Sequence, residues 1–331
     1  PSAEITPETF KKETRNLDVQ GSSLLLEVQF LSNDPAQRPS IQAGLDPKRA
    51  YMPPPNQGDI MPARALCKVV CPGPTATRFK AGDRVVAPAG WTHYAVVDES
   101  ACQPATILPG LSETACLGLL GGTGLTAYYG LLKVGEAETK KPQCIVVSGS
   151  AGATGSVVVQ IAKHVLQTPK VIGLAGGPDK CAAVKALGAD ICIDYKSADW
   201  KQQLAEATDA ACELYFDNVG GETLDCMLPL MKRHGTIVAC GAISSYESMG
   251  NGVVLKNYFE IISNRLRIQG FIVIDALKDA ASIIGELATW IKEGKIKAGE
   301  GSETVVEATL DEIPQVWQKL FTGGNKGKLV T

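Results

Sequence analysis

The sequence predicts an α/β protein in which a doubly wound parallel sheet of six strands is carried between two pieces of a second, β-rich domain. Three observations lead there. Between residues 144 and 273, six short apolar runs alternate with segments of helical spacing. A glycine-rich turn joins the first run to its helix. Residues 1 to about 120 are instead rich in proline and glycine, with short strand-like pieces such as DRVVAP and THYAVVD.

The first apolar run is CIVVSG, residues 144–149. After the turn, Val157, Ile161 and Val165 with Val158, Ala162 and Leu166 recur at helical spacing and predict a helix over SVVVQIAKHVL. KVIGLA is the second strand. Pro178 early and Gly188 past the end bracket the next helix. ICIDY, a polar helix and ELYFDN follow. A helix is expected through ETLDCMLPLMKRHG, then the strand TIVACG, and RLRIQGFIV makes the sixth. Parallel strands joined by such crossovers gather ligands at their carboxyl ends. Gly149, Ala175, Tyr195, Asn218 and Gly241 are therefore expected to ring one crevice. The tail, with TVVEATL, a helix and GGNKGKLVT, suggests a return to the first domain. The expected division is 1–121 with 296–331, around a nucleotide-binding 122–295.

Composition narrows the function classes. A formal charge of −3 argues against nucleic acid or an anionic membrane as partner. The first twenty residues carry no apolar core of a signal peptide, and no run reaches membrane-spanning length, so a cytoplasmic protein is expected. Ten cysteines in a chain of this kind read as small hydrophobes rather than a disulfide framework. Cys67 and Cys71 have no second ligand pair at zinc spacing, and the chain has only His93, His164 and His234. No metal is expected.

The turn reads Gly149-x-x-Gly152-x-x-Gly155, one place removed from the usual dinucleotide fingerprint. Gly152 lets backbone approach a pyrophosphate, Gly155 lets the helix pack on the strand, and the helix N-terminus faces the phosphate charge. About 20 residues further on, proteins that bind NAD place an acid on the ribose hydroxyls. Here that position reads Leu174-Ala175-Gly176-Gly177, followed by Lys180 on the next helix. The missing acid and the lysine favour a 2′-phosphate, hence NADP(H), with Tyr195 as a further donor. A solvated helix lysine is the plainer alternative.

The ordered segments GGTGLTAYYGLLKVG, VVSGSAGATGSVVVQIAK, GLAGGPDK, YFDNVGG, CGAISSY, NRLRIQGF and GNKGK resemble the zinc-independent medium-chain dehydrogenase/reductases. Within them the chain is similar to the prostaglandin reductase, alkenal double-bond reductase and curcumin reductase branch, from about residue 25 to the end. The resemblance implies a GroES-like catalytic domain around a Rossmann domain, and NADPH-dependent reduction of the C=C bond of enones and enals. It puts Gly152, Ala153, Thr154 and Gly155 on the pyrophosphate, Lys180 and Tyr195 on the 2′-phosphate side, and Asn218 on the nicotinamide half. Cys240, Gly241, Ala242, Ile243 and Ser244 would line the cofactor. Phe271, Ile272 and Val273 would offer backbone groups to the carboxamide, and Asn325 would close the site from the tail. Asn325 equally suits a glycine turn as a residue tolerant of a left-handed conformation.

The chemistry needs a hydrogen-bond donor for the enolate oxygen, and the resemblance points to Tyr246. A phenol stays protonated at neutral pH; a loop aromatic that only covers the substrate is the alternative. One departure stands out: where the family often has DPYMRG, this chain has Asp34-Pro35-Ala36-Gln37-Arg38-Pro39. Alanine removes an aromatic wall, leaving Tyr51, Met52 and Trp91 as pocket-shaping or merely packing residues. A zinc-free quinone oxidoreductase and a cofactor-binding sensor without important turnover are the competing functions. A homodimer paired along Arg267–Val273 is expected from the family.

Overall fold

The computed structural model describes residues 5–42, 44–48, 50, 52–247, 253–299 and 301–331. Tyr51 lies outside them. The chain forms two compact units: one up to Gly118 with Glu303–Asn325 and Leu329–Thr331, the other Leu119–Ser302 with Lys326–Lys328.

The first unit is a mixed sheet. Strand β1 (Ser23–Asn33) pairs antiparallel with β2 (Ala65–Pro72), and β2 with β3 (Arg84–Ala87). Strand β4 (Tyr94–Asp98) also pairs β1, and β5 (Gln103–Pro104) extends the sheet beyond β3. Alternate residues of β1, Leu24 and Leu26, are fully buried, as a half-buried strand requires. They share a core with Trp91 and Trp317, whose rings meet edge-on at 5.9 Å. Trp91 thus serves packing, and Met52 is exposed. The Trp317 indole donates to the Asp34 carbonyl at 3.2 Å. Ala36 is exposed, while Gln37 and Arg38 are buried; Gln37 donates to the Pro62 carbonyl at 2.7 Å. Cys67 is buried and Cys71 exposed.

The second unit is the parallel sheet. Its strands are β6 (Cys144–Val147), β7 (Lys170–Ala175), β8 (Ile191–Asp194), β9 (Cys212–Asp217), β10 (Met231–Ala239) and β11 (Arg267–Gly270), in the spatial order β11-β10-β9-β6-β7-β8. The order reverses beside β6, which is where doubly wound sheets hold ligands. Strand β6 is buried throughout, as a strand covered on both faces must be. The crossover helices are α1 (Ala153–Gln160), α2 (Pro178–Ala186), α3 (Trp200–Thr208) and α4 (Gly221–Met227). Helix α1 runs on as a wider π turn over Ile161–Val165.

Two expectations need correction. The segment Met231–Gly235 is not helical: the helix ends in a 3-10 turn at Leu228–Leu230, and β10 begins at Met231, which pairs with Cys212. Met231 is buried, and His234 takes φ +64 while its N–H bonds the Asn264 carbonyl. The apolar anchor at 231 thus outweighs helical spacing. The sixth strand also stops at Gly270. Phe271 leaves it to pack against Tyr129 and Phe216 at ring distances of 5.9 and 6.5 Å, and Ile272 heads a 3-10 turn.

Candidate active site

The carboxyl ends of the second unit's strands build the site. Ser150, following β6, sends both its N–H (3.0 Å) and its hydroxyl (2.9 Å) to the Leu174 carbonyl, lacing the glycine turn to the end of β7. A β-carbon on Gly155 would collide with the Gly149 carbonyl, so only glycine lets α1 start this close to β6. From the tail, Gly327 donates its N–H to the Ala151 carbonyl at 2.8 Å and pairs with Gly152 in a parallel bridge. Gly152 is therefore the last residue before α1, its N–H donating to the Gly149 carbonyl at 2.9 Å, and Ala153, Thr154 and Gly155 form the first turn, where helix amides lack intrahelical partners and can receive an anion.

At the end of β7, Gly176 lies under the Tyr195 ring; a β-carbon there would stand 2.6 Å from the Tyr195 hydroxyl. Asp194 Oδ1 accepts the Gly177 N–H at 2.8 Å and the Lys196 N–H at 2.9 Å, and these bonds hold its carboxyl below the usual range. Lys180, half-buried in the first turn of α2, has its ammonium held below the ordinary range by burial, and the charges of Lys196 and Lys326 push the same way. Burial raises the Tyr195 phenol, which keeps its proton. A site with three lysine charges acting together suits an anion. Asp194 was not singled out from the sequence, and neither were the two further lysines.

The end of β9 is organised by a second acid. Asp217, 2 % exposed, accepts on Oδ1 from the Ser148 hydroxyl (3.0 Å), the Tyr215 hydroxyl (2.8 Å), and the N–H groups of Val219 (3.0 Å) and Gly220 (2.9 Å). Burial, then the Asp217 charge, drives the Tyr215 phenol well above its usual value, so it stays a donor. Asn218 donates through Nδ2 to the Ser148 carbonyl at 2.7 Å and through its N–H to the Ser148 hydroxyl at 2.9 Å. Its own carbonyl accepts from Ile243 at 3.4 Å, while the Asp217 carbonyl accepts from Cys240 (2.9 Å) and Gly241 (3.1 Å). Ser244 bonds the Val219 carbonyl through its hydroxyl at 2.6 Å. The two loops after β9 and β10 are thus zipped together.

Tyr246 closes that zip. Its hydroxyl accepts the Ala242 N–H at 3.3 Å, which ties the ring back onto the start of its own loop. The Cys240 thiol is pushed up to about 12 by burial and is no nucleophile. Phe271 contributes its ring to packing, and the Ile272 carbonyl accepts from Asp275 at 3.0 Å, at the start of the turn that holds Val273. Asn325 belongs to the first unit. The left-handed conformations of its loop fall on Gly323 (φ +71) and Gly327 (φ +61), so Asn325 is not there for that purpose.

Comparison with known proteins agrees with this geometry. Residues 153–289 match the family described as zinc-binding dehydrogenase, and residues 1–105 the N-terminal domain of oxidoreductase. The chain is 32% identical over 337 residues to the NADPH-dependent curcumin reductase of Escherichia coli, covering 100% of this chain and 93% of that one. It is 34% identical over 334 residues to prostaglandin reductase 1 of Sus scrofa, with coverage of 98% and 94%. Among solved structures, CurA of Vibrio vulnificus in complex with NADPH superposes with a TM-score of 0.88 at 31% identity, covering 100% and 96%.

Proposed function

This chain belongs to the zinc-independent medium-chain dehydrogenase/reductases, in the prostaglandin reductase and curcumin reductase branch, and from that premise we propose that it reduces the C=C bond of α,β-unsaturated ketones and aldehydes with NADPH. It is an NADP-dependent oxidoreductase of a Rossmann sheet and a GroES-like domain. The domain division is taken as 122–295 within 1–121 and 296–331. One observation carries the reading: a single row of strand ends holds the glycine turn, then Lys180 with Tyr195, and on the other side Asn218 with Tyr246.

Bound NADPH supplies the hydride, to the β-carbon. The residues do the rest. Residues 152–155 would hold the pyrophosphate, chiefly through the amides of the first turn of α1, and Lys180 with Tyr195 would hold the 2′-phosphate. Asn218 and the 240–244 loop, braced by Asp217, hold the nicotinamide half. Phe271 to Val273 would offer backbone groups to the carboxamide. Tyr246 donates a hydrogen bond to the carbonyl oxygen as negative charge develops there, and a proton reaches the α-carbon.

The test is product identity by mass from a simple conjugated enone and a quinone, each with NADPH and NADH. A saturated ketone formed with NADPH, and little with NADH, is expected. An allylic alcohol would place the hydride on the carbonyl and undo the assignment of Tyr246; hydroquinone alone would favour a quinone oxidoreductase.

A second copy is proposed to pair along the free edge of β11. The segment leading into that strand leaves Val254 and Phe259 82% and 69% exposed. Light scattering should give twice the chain mass, and a monomer would overturn the pairing. No helix among the described residues is long and apolar enough to cross a membrane. A cytoplasmic location goes with this reading, and fractionation of cells checks it.

A further inference from the structure

Three lysines are brought to the carboxyl ends of β6, β7 and β8, and the cofactor reading above uses only one of them. Lys196 follows Tyr195. Its N–H and that of Gly177 share Asp194 Oδ1, so Lys196 and the turn that carries Lys180 hang on one carboxylate oxygen. Lys326 precedes Gly327, whose bond to the Ala151 carbonyl and bridge to Gly152 set it beside the glycine turn. That turn is in turn fastened to β7 through Ser150 and Leu174. No ion pair joins Lys180 or Lys196 to a carboxylate among the described residues; of the two acids nearby, Asp179 precedes Lys180 in the first turn of α2 and Asp194 directs Oδ1 at backbone. Lys196 and Lys326 are both exposed.

We propose that Lys196 and Lys326 act with Lys180 as a three-lysine cradle for the 2′-phosphate of NADPH, and that these two exposed lysines set the preference for the phosphorylated dinucleotide. The inference rests on the NADPH reading. Burial first, and then the charges of Lys196 and Lys326, disfavour the Lys180 ammonium. A phosphate monoester, carrying close to two negative charges, relieves the repulsion among the lysines; the 2′-hydroxyl of NADH brings no charge to do so. Because two of the lysines are exposed, their share of the binding is open to salt screening.

The experiment is calorimetric titration of the full chain with NADP⁺ and NAD⁺, at low and high salt, for the parent, Lys196→Gln, Lys326→Gln and the double variant. Each single change should weaken NADP⁺ about three- to ten-fold and leave NAD⁺ within about two-fold. The double variant should also lose most of the parent's salt dependence. If the double variant binds NADP⁺ within about two-fold of the parent while Lys180→Gln loses it, the cradle is refuted and the NADPH reading stands. Equal losses for both dinucleotides would refute it as well, as damage to the turn. A parent that binds both equally would refute the NADPH reading itself.

Discussion

The two halves of the strand-end row are built from opposite materials. Beside β7 and β8 stand exposed or half-buried cations and a phenol, ordered by an acid that faces solvent. Beside β9 and β10 stands a buried carboxylate with four donors on one oxygen, and loops joined amide to carbonyl. The first half waits for a charge that arrives from water, so each of its groups contributes separately and is weakened by salt. The second half holds a shape. There desolvation makes any missing partner costly, and the groups stand or fall together.

The sharpest way to break this contrast is Asp217→Ala. Stranding four donors in a buried site should cost on the order of 3–5 kcal/mol of stability, read from urea denaturation, while Asp217→Asn, which keeps an acceptor oxygen, should recover much of it. An alanine variant as stable as the parent would mean the buried half does not depend on its acid. Lys180→Ala should behave oppositely. Losing a charged contact worth about 1.5–3 kcal/mol weakens NADPH roughly ten- to hundred-fold, with NADH affinity and melting temperature unchanged. Tyr246→Phe should lower turnover about ten-fold while leaving the NADPH dissociation constant alone; an unchanged rate ends the donor assignment. The smallest effect belongs to Asp194. Its folded pKa lies below the ordinary 3.8, so its contribution is complete above that value and is lost as pH falls through the depressed one. The difference in urea midpoint between parent and Asp194→Ala should therefore be flat at neutral pH and vanish in acid.

Much of the parallel sheet was legible because its signals are local. Apolar runs such as CIVV and KVIGLA, bracketed by glycine, name buried strands by themselves, and Lys180 stood out because an expected acid was missing nearby. What stayed hidden depends on distance along the chain. Asp217 is one acid among many until Ser148, 69 residues earlier, and the buried Tyr215 hydroxyl are brought to it. Lys326 gains meaning only when Gly327 returns to the glycine turn. The Met231–Gly235 error has the same root: spacing favours a helix, but pairing of Met231 with Cys212 decides it.

The contact between Gly176 and Tyr195 ties two positions in evolution. A β-carbon at 176 would stand 2.6 Å from the hydroxyl of Tyr195, a residue 45% exposed, so a larger residue there pushes the phenol aside and moves its hydroxyl from the end of β7. Lineages descended from this chain in which 176 is no longer glycine should therefore have drifted in their choice of dinucleotide.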